Sequence, residues 1–299
     1  MSSYLGELAG LLTSLLYTLS ATFITRAVQK VGAVNVNRGR VVFASIYLLI
    51  INLILFGQPL PLAAGADRWM WLSLSGIIGL ALGDAFLFQS FALVGARIGS
   101  LIFALSTVFG AVAAWLFFGE TLNLMQILGI ALALGGIVWV LLDHRADSET
   151  SRSHVAAGVT YGILGALSQA AGYLLAKQGL LGDFPPFQAS IIRMTAAALG
   201  LWLMAAFQKQ VGGTIRTFQQ NPSALKYLAL AAMIGSVLGV TSSLFAVQHA
   251  EVGVASVLTS LSPIFLLPVS HFVFKERIGW QSIAGTFLAM AGVSVLFIK

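Results

Sequence analysis

The residue of this chain with the clearest chemical potential is an acid, Asp84, near the middle of a long apolar stretch, residues 76–94. A carboxylate at the centre of a bilayer-spanning helix costs about 3 kcal/mol on insertion scales, so it usually faces a cavity or a charged partner. We therefore predict that Asp84 attracts the ammonium group of a solute or takes up a proton. The alternative is that Asp84 only neutralises a buried arginine, such as Arg40 or Arg193.

Six other polar or aromatic side chains are predicted to complete a pocket around this acid. Gln89 follows Asp84 by five residues, and Phe86 and Phe88 would form apolar walls. Two other apolar segments supply three large polar side chains: Tyr17, Gln169 and Tyr173. They are long enough to contact a small polar solute through a hydroxyl, an amide or a ring face. The alternative for these three is hydrogen bonding between neighbouring helices.

The chain lacks the motifs of enzymes and nucleotide-driven pumps. It has no GxxxxGK[ST] loop to hold phosphates, and no HExxH, GxSxG or paired-aspartate motif. His249 and His271 have no ligand-like partner nearby in the sequence. We predict no catalytic residue, no cofactor and no metal site.

The composition indicates that the lipid bilayer is the solvent for most of the chain. Hydrophobic residues make up 58% of the 299 positions and charged residues only 9%, against roughly 25% charged in a soluble domain. The net charge of +6 does not indicate nucleic acid, because the basic residues stand singly or in small groups between apolar runs. The expected partners are lipid and a small-molecule substrate.

Apolar runs long enough to cross a bilayer predict an all-α integral membrane protein with ten transmembrane helices, here called segments 1 to 10. They cover 5–25, 38–57, 69–93, 97–118, 122–142, 155–177, 186–207, 224–247, 251–274 and 278–298. The polar stretch 143–154 separates two halves, 1–142 and 155–299, of five segments each.

The two halves are related by an internal repeat. A shift of 156 residues aligns 72–141 with 228–297 without a gap. The matches include Gly79/Gly235, Gly83/Gly239, Ser100/Ser256, Ser106/Ser262, Phe109/Phe265, Glu120/Glu276, Gly129/Gly285 and Gly136/Gly292. Asp84 and Gln89, by contrast, correspond to Val240 and Phe245. These two polar groups belong to the first half alone, which favours a role with a ligand over a role in folding.

An odd number of segments in each half predicts that the halves have opposite orientations in the membrane, as in inverted-repeat transporters. Twelve basic residues fall in the loops after segments 1, 3, 5, 7 and 9, and three fall on the opposite side. Because basic loops stay in the cytoplasm, both termini are predicted on the non-cytoplasmic side.

Several repeated residues are predicted to have structural roles. The pairs Gly79/Gly83 and Gly235/Gly239 have the spacing that lets helices approach closely, which predicts a contact between segments 3 and 8 at the pseudo-two-fold axis. The prolines of segment 9, at positions 263 and 268, predict a bend inside a helix. The acids at positions 120 and 276 are predicted to complement the N-termini of segments 5 and 10.

The paired stretches SLIFALSTVFGAVAAWLFFGETLNLMQILGIALALGGIVWVLL and SVLTSLSPIFLLPVSHFVFKERIGWQSIAGTFLAMAGVSVLFI carry a family resemblance. The spacing from glutamate to glycine (Glu120 to Gly129, Glu276 to Gly285) resembles the ten-helix EamA type of the drug/metabolite transporter (DMT) superfamily. The resemblance extends to its YddG-like amino acid exporter group and covers essentially the whole chain. It is specific for fold, much less so for substrate.

This resemblance implies a central cavity lined by segments 1, 3, 4, 6, 8 and 9, alternating access, and frequent export of amino acids in bacteria. Small members of the superfamily use a membrane-embedded glutamate in their first helix. Here only Glu7 is available, near the membrane edge, so that drug–proton exchange is not carried over. Any proton coupling would fall to Asp84.

We therefore predict a secondary transporter of the inner membrane that exports amino acids or related small polar metabolites. One rival is an exchanger of nucleotide sugars or phosphorylated metabolites, for which Arg40 and Arg193 are the only cationic candidates within the cavity. The other rival is a membrane enzyme or lipid-handling scaffold without solute flux.

Overall fold

The computed structural model describes residues 2–118, 123–147, 152–181, 184–249, 258–276 and 278–295. Its helices are α1 Ser2–Val31, α2 Ala33–Phe56, α3 Ala66–Ser75, π1 Gly76–Gly83, α4 Asp84–Phe103, α5 Leu105–Phe118, α6 Leu124–Asp147, α7 Arg152–Gly179, α8 Pro186–Phe207, α9 Val211–Gln220, α10 Pro222–Ala231, π2 Ala232–Gly239, α11 Val240–His249, α12 Ser262–Phe272 and α13 Trp280–Val295, with a short 3₁₀ turn at Leu62–Ala64. The described residues contain no strand. The all-helical prediction is confirmed.

Seven helical stretches of the described residues are long and apolar enough to cross a membrane, and α12 and α13 are shorter apolar helices. Helix α1 shows the apolar outward face that such a helix needs. It exposes a row of leucines at helical spacing: Leu5, Leu8, Leu12, Leu15 and Leu19. Such a row would be unfavourable in water and is suited to lipid. Ala66–Ala113 is 48 residues long, more than one crossing requires.

A sharp turn at Gly95 divides that long stretch. Its backbone has φ 80° and ψ 163°, inside helix α4. An L side chain rarely adopts this φ, so glycine is needed there. The turn separates predicted segments 3 and 4.

Two π-helical turns, π1 and π2, interrupt segments 3 and 8. They cover Gly76–Gly83 and Ala232–Gly239, which the 156-residue shift superposes end to end. A π turn is rare and is frequently found at functional sites. The two halves therefore share this local distortion as well as their glycines.

The predicted glycine contact between segments 3 and 8 is wrong for the described glycines. In π1, Gly79 and Gly83 face α7, where a Cβ on Gly79 would meet the Gly172 backbone at 3.4 Å. In π2, Gly235 and Gly239 face α1 and abut its side chains. The spacing did predict close helix packing, but each glycine pair packs against the first helix of the opposite half. Segment 3 thus packs on segment 6, and segment 8 on segment 1.

Helices α6 and α13 form another close contact between the halves. A Cβ on Gly285 would lie 3.0 Å from the carbonyl oxygen of Gly136, and one on Gly292 would overlap the backbone of Ala133. At this pair, small residues permit backbone contact.

The predicted proline bend within segment 9 needs a correction at one of its two positions. Pro263 lies in the first turn of α12, just after its N-cap Leu261, while Pro268 is inside the helix. A proline at a helix start removes no intrahelical hydrogen bond, because its missing N–H would be unpaired anyway. Pro263 therefore marks where the helix begins.

Glu276 also differs from its predicted role. It precedes α13 by four residues and its Oε2 lies 3.4 Å from Nε of Arg97, on α4 in the other half. It therefore joins the halves by an ion pair. Its repeat partner, Glu120, lies outside the described residues.

Helix α9 was not predicted. Its buried face includes Thr214 and Phe218, and it packs on the start of α2. The Arg38 guanidinium donates to Thr214 Oγ1 and Gln210 Oε1, both at 2.8 Å. This short amphipathic helix thereby holds the basic end of α2.

Candidate functional site

Asp84 lies at the start of α4, immediately after π1, and forms an ion pair with Arg40 of α2. Both side chains are buried, with 11% and 8% of their surface exposed. Of the two alternatives for Asp84, the structure therefore contains the pairing with Arg40. That pairing leaves the predicted role with a solute or proton untested.

Arg40 also contacts the second half of the chain. Its Nη1 donates to Oγ of Ser236 in π2 at 3.1 Å, and its Nη2 lies 3.4 Å from Oδ1 of Asn37. Its guanidinium carbon lies 5.3 Å from the ring centroid of Phe88, within range of a cation–π interaction. One guanidinium thus joins α2, α4 and π2.

A second arginine, Arg193 of α8, has no such set of partners. Its guanidinium lies over the ring of Tyr173 on α7, 5.7 Å from the centroid. Its Nε and Nη2 are buried and have no hydrogen-bond partner among the described residues. Arg193 and Asp84 are close enough to interact electrostatically.

Gln169 lies one helical turn before Tyr173 and shares its side of α7. Only 8% of Gln169 is exposed, and its Oε1 has no hydrogen-bond partner in the described structure. A Cβ on Gly79 would lie 3.2 Å from this oxygen and 3.6 Å from Nη2 of Arg193. Gly79 is therefore packed closely against both groups, and even a methyl group there would crowd the Gln169 oxygen.

Tyr17 of α1 contributes from the opposite side. Its ring would lie 2.7 Å from a Cβ on Gly239, and its hydroxyl is hydrogen-bonded with Ser243. Tyr17 lies within electrostatic range of Tyr173, Arg193 and Asp84. The structure thus brings four predicted residues and both arginines into one neighbourhood, which we call the central cluster: Tyr17, Arg40, Asp84, Gln169, Tyr173 and Arg193.

The other predicted pocket residues lie elsewhere on α4. Gln89 is half-buried and about 140° around the helix from Asp84, at about 100° per residue, so the two do not share a face. Phe86 stacks on Tyr161 of α7 with ring centroids 6.1 Å apart. Phe88 is 2% exposed and packs in the apolar core, with Arg40 over its ring.

Most hydroxyl side chains of α1 form hydrogen bonds within the helix, to the carbonyl one turn earlier, as is common for Ser and Thr in membrane helices. Thr13 and Thr25 donate to the carbonyls one turn earlier, Ala9 and Ala21, at 2.8 and 2.9 Å. Ser20 instead crosses to the Ala231 carbonyl at 3.0 Å. This crossing bond contributes to the contact between α1 and the segment that contains π2.

Asn37 and Ser236 were missed by sequence reasoning. Asn37 precedes Arg40 by one helical turn, and its amide donates to the Ala81 carbonyl of π1 at 2.8 Å. The sequence feature that could have identified Asn37 is its position one helical turn before Arg40, on the same side of an apolar helix. Ser236 corresponds to Leu80 in the first half, so the repeat already marked it as a polar difference.

The central cluster carries two arginines and one aspartate, a formal charge of +1. Because Asp84 and Arg40 neutralise each other, the excess positive charge lies at Arg193. Buried charges without compensation are costly in a membrane and are retained mainly where they act on a ligand. The geometry is suited to binding a small solute that brings a negative charge.

Comparison with known proteins agrees with the membrane fold. The model of the EamA-like transporter family matches residues 4–142 and 156–298. An uncharacterized transporter of Haemophilus influenzae is 24% identical over 267 residues, which cover 89% of this chain and 83% of that protein. An uncharacterized transporter of Clostridium kluyveri is 27% identical over 126 residues, covering 42% of this chain and 38% of its own.

A solved crystal structure is similar to this chain across nearly its whole length. It superposes with a TM-score of 0.63 at 16% identity and covers 99% of this chain and 96% of its own. At this identity the likeness shows the fold alone.

Proposed function

The chain belongs to the EamA-like transporter family of the DMT superfamily, and from this premise we propose that it exports amino acids or related small polar metabolites by alternating access. The observation that carries the proposal is the central cluster, which is built by helices of both halves and in which Arg40, Asp84 and Gln169 are buried. A charged site shared between two halves can bind a solute in either of their relative positions.

We propose the inverted repeat as the basis of that movement. Dividing Ala66–Ala113 at Gly95 and including the two short apolar helices gives ten crossings. The superposed π turns and the reciprocal packing of segments 3 and 6 and of segments 8 and 1 support two related halves. The charge bias of the loops supports an inner-membrane protein with both termini outside.

In this proposal Asp84 is the group that responds to solute or proton. A proton or a solute ammonium on Asp84 would compete with Arg40 and so weaken the contact from α4 through Arg40 to Ser236. Tyr17, Gln169 and Tyr173 shape the pocket around it, with Phe88 as the apolar wall beneath Arg40. The same acid thereby links binding to the contact between the halves.

Counterflow in proteoliposomes tests this proposal. Purified protein is loaded with one unlabelled amino acid at a time, and uptake of the labelled form is measured for the parent, Asp84→Asn and Asp67→Asn. Asp67 is an exposed acid in the first turn of α3 and serves as the matched control. Saturable flux is expected in the parent and the control, and loss of flux in Asp84→Asn. Equal flux in all three proteins would refute the role of Asp84.

The exchanger of nucleotide sugars or phosphorylated metabolites is the second candidate, because the net charge of the central cluster is positive. Counterflow with sugar phosphates and nucleotide sugars in the same vesicles separates the two. Flux for none of these solutes would favour the scaffold or enzyme alternative.

A further inference from the structure

We propose that Arg193 binds an oxyanion group of the transported solute, that for an amino acid this group is the carboxylate, and that Gln169 accepts a hydrogen bond from the ammonium beside it. The inference rests on the proposed function and deepens it. It assigns the recognition of the negative group to α7 and α8, apart from the Asp84–Arg40 pair. The substrate class then becomes acids and zwitterions, to the exclusion of purely cationic solutes.

The first step concerns which arginine is available. Both terminal nitrogens of Arg40 already face Asp84, Ser236 or Asn37, and only its Nε has no partner among the described residues. Nε and Nη2 of Arg193 have no partner among the described residues, and none of the carboxylates described there forms an ion pair with it. A guanidinium offers donors in a planar fork that matches a carboxylate or phosphate. An oxyanion would supply both missing hydrogen bonds and the missing charge.

The second step concerns position. A Cβ at Gly76 would overlap the backbone of Arg193, so π1 packs directly on α8 at this residue and fixes its place. At Gly79, one turn further along, a Cβ would lie 3.2 Å from Oε1 of Gln169 and 3.6 Å from Nη2 of Arg193, so both groups lie beside the same point of π1. Gly76 and Gly79 thus allow π1 to pack closely on α8 and α7, which brings the polar faces of these two helices together.

The third step concerns the other groups. Gln169 is more than nine-tenths buried and its carbonyl oxygen has no donor among the described residues. This oxygen accepts a hydrogen bond, so it suits the ammonium of a zwitterion whose carboxylate contacts Arg193. Tyr173 has 54% of its surface exposed and lies under the guanidinium, so the site adjoins an open surface. A zwitterion would satisfy all of these groups together.

Binding to the purified full chain in detergent tests the assignment without depending on flux. The probes are L-amino acids, the corresponding carboxamides, and inorganic phosphate, with binding followed by tryptophan fluorescence. The parent is expected to bind acids about 10- to 100-fold more tightly than their amides, as a charge-assisted pair predicts. Arg193→Gln should lose this preference, and Arg193→Lys should retain part of it. Arg216→Gln, on the exposed face of α9, is the matched control.

The outcomes separate this inference from the proposed function. Retention of the acid preference in Arg193→Gln, equal binding of acids and amides by the parent, or no binding of either acids or phosphate would overturn the site. Arg193-dependent binding of phosphate without amino acid binding supports an oxyanion site that serves phosphorylated metabolites. Arg193-dependent binding without flux in vesicles would refute transport but support the binding site. Flux that is equal in the parent and in the Arg193 variants would support transport but refute the binding site. Removing an unpaired buried cation should not unfold the protein, and the Lys variant retains the charge.

Discussion

The Asp84–Arg40 ion pair should be strongly coupled, and a double-mutant cycle measures that coupling. Breaking a buried pair by removing one partner typically costs about 3–5 kcal/mol, because the other charge stays buried alone. Asp84→Asn should cost about 3 kcal/mol, near the lower end, since Arg40 keeps its contacts with Ser236 and Asn37. Arg40→Gln should lie nearer 5 kcal/mol, because the carboxylate loses the only hydrogen bond the described structure gives it.

The double variant should recover most of this loss, because neither Arg40 nor Asp84 is then left as a buried charge without its counterion. We expect the double variant to unfold within about 2 kcal/mol of the parent, which gives a coupling energy of several kcal/mol. The assay is reversible unfolding in mixed detergent micelles, followed by the fluorescence of the six tryptophans.

A second ion pair gives the internal control. Arg97 and Glu276 lie 3.4 Å apart, but 34% of the Glu276 side chain is exposed. Its coupling energy should stay below about 1 kcal/mol. If the losses of the two single variants at positions 40 and 84 simply add in the double variant, the pair is not coupled and this account of the cluster is wrong.

Three other expectations are open to direct measurement. Gly172→Leu should destabilise the protein by about 2 kcal/mol or more, since a Cβ there would lie 2.8 Å from the Cα of Gly79; Gly212→Leu, with nothing within 4 Å, should unfold like the parent. The chain has no cysteine, so single cysteines at the exposed positions Gln58 and Gln219 can report the orientation of the protein in the membrane. In intact cells a membrane-impermeant maleimide should label the cysteine at position 58 and not the one at position 219. The reverse labelling pattern would mean that the predicted topology is inverted. Phe218→Ala should cost about 3 kcal/mol in the same unfolding assay, because this α9 side chain is 91% buried; a loss below 1 kcal/mol would mean that α9 is not anchored.

Much of the central cluster could be predicted from the sequence because charge is rare there. An acid inside an apolar run is conspicuous, and so are arginines at positions 40 and 193. The choice between the two possible partners of Asp84 could not be made, because Arg40 and Arg193 both lie inside apolar segments. Only the packing of α2 against α4 decides it. Gln89 was grouped with Asp84 by sequence distance, although five residues of helix place it on another side.

The glycine pairs show a different limit. The spacing between Gly79 and Gly83 predicts that a helix can approach closely, but not which helix does so. A two-fold arrangement allows segments 3 and 8 to meet each other, or each to meet the first segment of the opposite half. Nothing in the sequence distinguishes these two packing arrangements. Helix α9 was missed for another reason: only three of its ten residues are apolar and two are glycines, which is a composition typical of a polar loop.

The reciprocal packing of the halves implies that neither is a folding unit by itself. The surface that covers π1 comes from α7, the surface that covers π2 comes from α1, and α6 is closed by α13. A half synthesised alone would expose its glycine faces and the site of its missing partner to lipid. The protein is therefore closer to an obligate heterodimer whose two subunits share one chain than to two domains joined by a linker. Its assembly must wait until the second half is in the membrane.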